Sequence, residues 1–238
     1  MTIAFIFDLD GCILDDAQIM RDLPVSIAKK FHVYVDPLQG LLTTKRLIEN
    51  LNEARGKRGK FDLLWYAANE FHIPWYLRRK YFQELGRQYK SVIVDCPLID
   101  GTLETLKFLQ ANGHPIGLFT SSSDQEVEDR FRLRSEVLQY FTGNIITRDK
   151  ITRLKPYPDG ILQLSQKWQI PPIQCIMIGD MVVDIKAGQR CGAFTIGVLT
   201  GFDTAEDFKT AQADLIINSI KDIPSIYPTI LTHLSSRA

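Results

Sequence analysis

The stretch Phe5-Ile-Phe-Asp-Leu-Asp-Gly11 constrains the fold more than any other part of the chain. Ile3 to Phe7 is apolar, β-prone and uncharged, which reads as a strand of a parallel sheet buried on both faces. It runs directly into two carboxylates, Asp8 and Asp10, and then a glycine. In an open α/β sheet, ligands bind at the carboxyl ends of the strands. Two acids one residue apart crowd their charge, which raises a pKa or recruits a cation. The competing reading is a turn in which Asp10-Gly11 merely reverses the chain. A calcium loop is disfavoured, because Cys12 stands where that motif needs an oxygen ligand.

The same strand-then-polar pattern recurs in the second half. Gly101 to Asn112 reads as a helix that stops at Asn112-Gly113. Pro115 to Phe119 reads as a buried strand, ending in Thr120-Ser-Ser-Ser-Asp124. A helix is expected from about Asp124, with Ser123 and Glu126 spaced as a capping box. Asn144–Thr147, Gln174–Ile178, Ala193–Val198 and Asp214–Ile217 are further expected strands. Helices are expected from the Lys155-Pro-Tyr-Pro-Asp159 stretch to Trp168 and from Met181 to Cys191. Strands alternating with helices imply parallel βαβ units. The expected class is α/β, a Rossmann-like doubly wound parallel sheet.

Residues 16–90 have another character. Ile19, Leu23, Ile27 and Phe31 recur at helical spacing, Pro37–Ala54 reads as a second helix, and Phe61–Phe71 resumes the pattern. Pro74 is placed at the first turn of a further helix. Arg55–Lys60 is a basic, glycine-punctuated turn, and a linker is expected around Ser91–Asp100. The expected domains are therefore an α/β core of residues 1–15 and 91–238 and a small all-α cap of residues 16–90. The cap holds 14 Lys or Arg against 8 Asp or Glu, a net +6; the chain is neutral overall, so the core carries −6. That division suits an anionic substrate, although solvated helix surfaces are commonly basic.

Composition narrows the class. At 238 residues, 45% hydrophobic and 24% charged, the chain fits a globular protein with a sizeable core. Zero net charge gives no general affinity for nucleic acid. No run is long and uncharged enough for a bilayer, and the apolar start lacks a basic n-region. Cys12, Cys96, Cys175 and Cys191 lack metal-ligand spacing and read as free thiols of a reducing, cytoplasmic setting. The expected oligomeric state is monomer or homodimer.

The strand ends supply the chemistry. Asp8, Asp10, Thr120 and Asp180 all follow expected strands, so a doubly wound sheet gathers them on one edge. Asp184, four residues after Asp180 at a helix start, can face the same cavity. Four acids in one pocket do not all ionise unaided, and a hard divalent cation resolves the conflict; magnesium is the natural one beside a phosphate. Lys155 is placed at the pocket edge by Pro156 in the first turn of the following helix.

These residues resemble the haloacid dehalogenase superfamily, in the phosphoglycolate phosphatase-like branch with a helical cap after its first motif. Asp8-Leu-Asp-Gly11, Thr120, Lys155 and Gly179-Asp-Met-Val-Val-Asp184 stand in the order of that family's four motifs. The resemblance implies a magnesium-dependent phosphomonoesterase for a small phosphorylated metabolite. Asp8 is then the nucleophile that becomes an aspartyl phosphate, and Asp10 the general acid and base. Thr120, the Ser121 N–H and Lys155 hold the phosphoryl oxygens, and Gly11 leaves room for the turn. Magnesium ligation falls to Asp8, the Asp10 carbonyl, Asp180 and Asp184. Within the cap, Arg21, Lys45 and Arg46 are the candidates for a second anionic group. A phosphosugar mutase shares every motif residue. A dehalogenase is disfavoured by Asp10, and a non-catalytic binding protein by the intact residue set.

Overall fold

Ala4–Phe7 forms β1, every residue of it buried, in a computed structural model that describes residues 2–51 and 64–236. Its period-two alternation serves both faces of the sheet. Ala4 and Ile6 join a cluster with Ile161, Leu164, Met177 and Ala187. Phe5 and Phe7 point the other way, against His114 at 5.3 Å and Phe141 at 6.4 Å between ring centroids.

The remaining strands are β2 (Ile116–Phe119), β3 (Ile145–Ile146), β4 (Cys175–Gly179), β5 (Phe194–Val198) and β6 (Leu215–Ile217). They make a six-stranded parallel sheet in the order β3-β2-β1-β4-β5-β6. This is the doubly wound Rossmann order, with the switch point between β1 and β4. Among the described residues, α1 (Ala17–Lys30), α2 (Pro37–Leu51), α3 (64–70) and α4 (Arg78–Ile93) belong to a separate helical region. Around the sheet lie α5 (Thr102–Ala111), α6 (Asp124–Phe131), α7 (Ser135–Phe141), α8 (Asp159–Trp168), α9 (Val182–Gln189), α10 (Ala205–Thr210) and α11 (Ile223–Ser235).

The chain thus divides into two compact units, an α/β unit of Met1–Asp15 with Pro97–Ala238 and a helical unit of Asp16–Cys96. The helical unit has its own core. Ile27, Ala67, Phe71, Ile73 and Tyr81 are buried together, with Leu23, Phe31, Leu77 and Leu85 packed against them. Tyr81 stacks edge-on with Phe82 at 5.1 Å and donates its hydroxyl to the Pro24 carbonyl at 3.0 Å.

Several expected boundaries differ. The helix expected from Asp124 is α6, which stops at Phe131; α7 follows after a break at Arg132–Arg134. Pro74 heads a turn, its carbonyl accepting from the Leu77 N–H at 2.9 Å, and α4 starts only at Arg78. That helix then runs to Ile93, past the start of the expected linker. Pro156 lies outside α8, which begins at Asp159. The Arg55–Lys60 turn lies outside the described residues. The capping box at Ser123 is present: its Oγ accepts from the Glu126 N–H at 3.2 Å, and its own N–H donates to Glu126 Oε2 at 2.7 Å. All four cysteines are free thiols. No helix among the described residues is long and apolar enough to cross a membrane.

Candidate active site

The site of the α/β unit grows from three strand ends. β1 is laddered between β2 and β4, and one further bond, from the Asp8 N–H to the Ile178 carbonyl at 2.8 Å, carries that pairing into the acidic pair. Likewise the Thr120 N–H donates to the Ile146 carbonyl at 2.9 Å just past β2. Asp180 follows β4 directly. The rigid sheet thus sets the positions of Asp8, Thr120 and Asp180.

After Asp8 the chain turns sharply, with Gly11 at φ +69° and its N–H bonded to the Leu14 carbonyl at 2.9 Å. A left-handed backbone favours glycine, and here space demands it too. A Cβ on Gly11 would lie 2.4 Å from Asp180 Oδ2. Gly201, just past β5, approaches even closer: its Cβ would lie 1.8 Å from the same oxygen. The Phe202 N–H donates to Asp180 Oδ2 at 3.0 Å, and Thr200 Oγ1 donates to the Gly11 carbonyl at 2.6 Å. The Val182 N–H donates to Asp203 Oδ2 at 2.5 Å, while the Asp203 N–H reaches the Asp180 carbonyl at 3.2 Å. The segment after β5 therefore braces both acidic loops.

Lys155 is not at the edge of this cluster but inside it, 2% exposed. Its Nζ lies 2.7 Å from Asp8 Oδ1 and 2.6 Å from Asp184 Oδ1, and 5.4 Å from the centroid of the Phe119 ring. The ion pairs and the ring face hold the ammonium, not the helix start expected at Pro156. Asp184 Oδ2 accepts from the Met181 N–H at 3.1 Å, tying α9 to the same charge group.

Carboxylate oxygens of Asp8, Asp180 and Asp184 lie within 4.8 Å of one another, all three residues buried. Burial pushes the Asp8 carboxyl up to about 7; Lys155 opposes this, while Asp184 and Asp10 add to it. Asp184 is also raised by burial, against the pull of Lys155. Burial works against the Lys155 ammonium too, but Asp184 and Asp8 outweigh it and hold its pKa above the ordinary value. One cation does not satisfy three buried carboxyls, so the donor set fits a hard divalent cation with oxygen ligands. Cys12, buried beside them, is pushed well up by burial and by the neighbouring carboxylates. Its thiol is a packed group, 3.7 Å from the Ile178 carbonyl.

Thr120 is buried, and its Oγ1 accepts from the Ser122 N–H at 3.1 Å. Ser121 sits half-buried at the turn between them. Asp10 leads to a residue that sequence reasoning passed over. Arg130, on α6 and 2% exposed, pairs with Asp10 at 2.8 Å. The signal was available: Val127, Arg130 and Phe131 share the buried face of α6, and an arginine at i+3 on an apolar stripe needs an anion. Asp203 carried no comparable signal. Arg21 lies on α1, and Lys45 and Arg46 on α2, all in the helical unit; Arg46 Nη1 reaches Tyr66 Oη at 3.4 Å.

Residues 4–192 match the family model of the haloacid dehalogenase-like hydrolases. The chain is similar to a phosphoglycolate phosphatase of Escherichia coli strain K12, 32% identical over 91% of this chain and 89% of the relative. It is similar also to pyrophosphatase PpaX of Oceanobacillus iheyensis, 29% identical over 93% of this chain and 94% of that one. A crystal structure of a predicted phosphoglycolate phosphatase from Haemophilus somnus superposes with a TM-score of 0.73 at 18% identity, over 95% of this chain and 98% of the other.

Proposed function

The chain belongs to the haloacid dehalogenase-like hydrolase family, and from that premise we propose that it is a magnesium-dependent phosphomonoesterase for a small phosphorylated metabolite, working through an aspartyl phosphate. The observation that carries this reading is the buried Lys155 ammonium bridging Asp8 and Asp184, with Asp180 alongside.

Asp8 Oδ attacks phosphorus, and the bond to the leaving oxygen breaks. Lys155 already neutralises part of the charge on Asp8 and extends the same charge toward the phosphoryl oxygens. Thr120 Oγ1 and the Ser121 N–H complete the cradle for those oxygens. Asp10 gives its proton to the leaving oxygen and later takes one from the attacking water. Asp8, the Asp10 carbonyl, Asp180 and Asp184 would hold magnesium, which supplies charge neutralisation at the phosphoryl oxygens. Asp184 also anchors Lys155 at 2.6 Å, so it serves both charges. The helical unit is assigned the part of a lid that excludes water, with Arg21, Lys45 and Arg46 selecting the substrate's second anionic group. Phosphoglycolate is the first compound to test, since a relative covering 91% of the chain is a phosphoglycolate phosphatase.

The test is phosphate release from a panel of small phosphate esters, with magnesium and with chelator. Magnesium-dependent release from one or two compounds supports the reading and names the substrate class. Release that ignores the chelator, or none from any compound, overturns it.

A further inference from the structure

Arg130 is as buried as Lys155, yet the reaction above gives it no part. Taking a guanidinium out of water is costly unless an anion and good hydrogen bonds replace the solvent. Here Nη1 lies 2.8 Å from Asp10 Oδ1 and 2.9 Å from Oδ2, and donates to Ser122 Oγ at 2.7 Å. Ser122 Oγ in turn donates to Asp10 Oδ2 at 3.2 Å. The three side chains close a triangle whose corners come from the β1 turn, the β2 turn and α6. The accessibilities are unequal: the Arg130 side chain is 2% exposed and that of Asp10 34%. The guanidinium is sealed behind a carboxylate that faces the open side.

A lone aspartate on a turn rotates freely about two side-chain bonds. A general acid must hold hydrogen-bond reach to the proton's destination, and small misplacements are expensive. Ser122 is fixed by its own N–H on Thr120 Oγ1, and Arg130 by the packing of α6. Both supports are therefore independent of the turn that carries Asp10. An arginine suits the task because it stays charged and exchanges no proton.

We propose that Arg130 is a positioning residue for Asp10: with Ser122, it holds the carboxyl aimed at the reacting oxygens in both halves of the reaction. The inference rests on the phosphatase reading. In the first half, Asp8 forms a bond to phosphorus, the leaving oxygen takes the electron pair of the broken P–O bond, and it takes its proton from Asp10. In the second half, water attacks phosphorus and the electron pair of the Asp8–phosphorus bond returns to the Asp8 carboxylate. Asp10 takes the water proton. Arg130 holds the Asp10 carboxylate at the point between the two.

Leaving-group chemistry tests this. The p-nitrophenolate ion leaves without a proton, whereas the alkoxide of phosphoglycolate needs one. In Arg130→Gln, the first-turnover burst with p-nitrophenyl phosphate and magnesium is expected at the parent's rate. Bond cleavage in phosphoglycolate is expected to slow about ten- to a hundred-fold, part of what a general acid contributes, with KM within about two-fold. In an Asp10→Asn background the same change is expected to cost nothing more, because the group it positions is gone. Arg130→Lys, which keeps the charge and one donor, is expected to recover part of the loss. It also replaces Gln in the cycle if Arg130→Gln shows no cooperative melting. Equal slowing of both leaving groups, losses that multiply in the double variant, or a rise in KM at unchanged kcat would each overturn the assignment. A parent enzyme without magnesium-dependent turnover overturns the phosphatase reading, and this inference with it. A working parent leaves Arg130 to be judged alone.

Discussion

Both units bury an apolar core, but they differ in the charge they bury with it. The α/β unit buries Asp8, Asp180, Asp184, Asp203, Lys155 and Arg130, while the helical unit buries Tyr81, Phe71, Ile27 and their apolar neighbours. Among its described residues, the polar side chains buried in the helical unit are Asp16, Thr43 and Thr44. A buried ion pair is weak evidence for stability, because desolvation takes back much of the attraction. An apolar core contributes in proportion to the area it hides. The contrast teaches that one unit gives up stability for a preorganised charge array and the other does not. Changes to the first should therefore act on turnover, and changes to the second on folding.

The sharpest way to break that contrast is Asp8→Asn. Nearly isosteric, it should leave the fold intact and lower turnover by at least about a thousand-fold, since it removes the proposed nucleophile. Turnover within about ten-fold of the parent would end the aspartyl-phosphate mechanism. Next is Gly201→Ala, whose Cβ would meet Asp180 Oδ2 at 1.8 Å. It is expected to weaken magnesium binding, read by calorimetry, by about ten- to a hundred-fold through displacement of one ligand. Unchanged affinity would mean that Asp180 is not a ligand.

A pH series sharpens the comparison further. Burial pushes the Asp8 carboxyl from 3.8 up to about 7, so the folded, metal-free protein holds that proton more tightly than the unfolded chain. The stability from this group is full below the unfolded value and is lost as pH rises through about 7. In chelator, Tm should fall between about pH 4 and pH 7 and level off above, and Asp8→Asn should flatten that part of the curve. Magnesium should restore stability most at the alkaline end, where no proton has to leave. A slope unchanged in the variant would assign the effect to another group.

The smallest expected effect is in the helical unit. Tyr81→Phe leaves the buried Pro24 carbonyl without the hydroxyl's 3.0 Å bond and should cost about 1 kcal/mol in a denaturant melt. The kcat of the folded fraction should stay at the parent's value. A selective fall in kcat would erase the distinction between the units.

Much of this was legible in the chain. Runs such as Ile3–Phe7 and Gln174–Ile178, each stopped by a polar residue or a glycine before one, announced the sheet and the edge where its acids collect. Local chemistry also announced the Ser123 cap, which needs only one turn of helix. What stayed hidden depended on distance in the chain. Arg130 and Asp10 are 120 residues apart, and in Asp129-Arg-Phe-Arg-Leu-Arg134 nothing but helical phase separates the paired arginine from its neighbours. α11 was concealed by Pro228, which argues against a helix interior. The break between α6 and α7 has no glycine or proline to mark it.

The start and finish of the inserted helices are stitched together. The Asp15 N–H donates to the Pro97 carbonyl at 2.8 Å, the Ile99 N–H to the Ile13 carbonyl at 3.0 Å, and Leu14 bridges Leu98 in antiparallel fashion. A loop whose ends are already pinned at one strand spacing pays little for its contour: doubling such a loop adds only about 0.6 kcal/mol of closure entropy. The sheet is thus nearly indifferent to what is spliced between Asp15 and Pro97. A longer or shorter segment there would leave the strand ends that carry Asp8, Thr120 and Asp180 where they are.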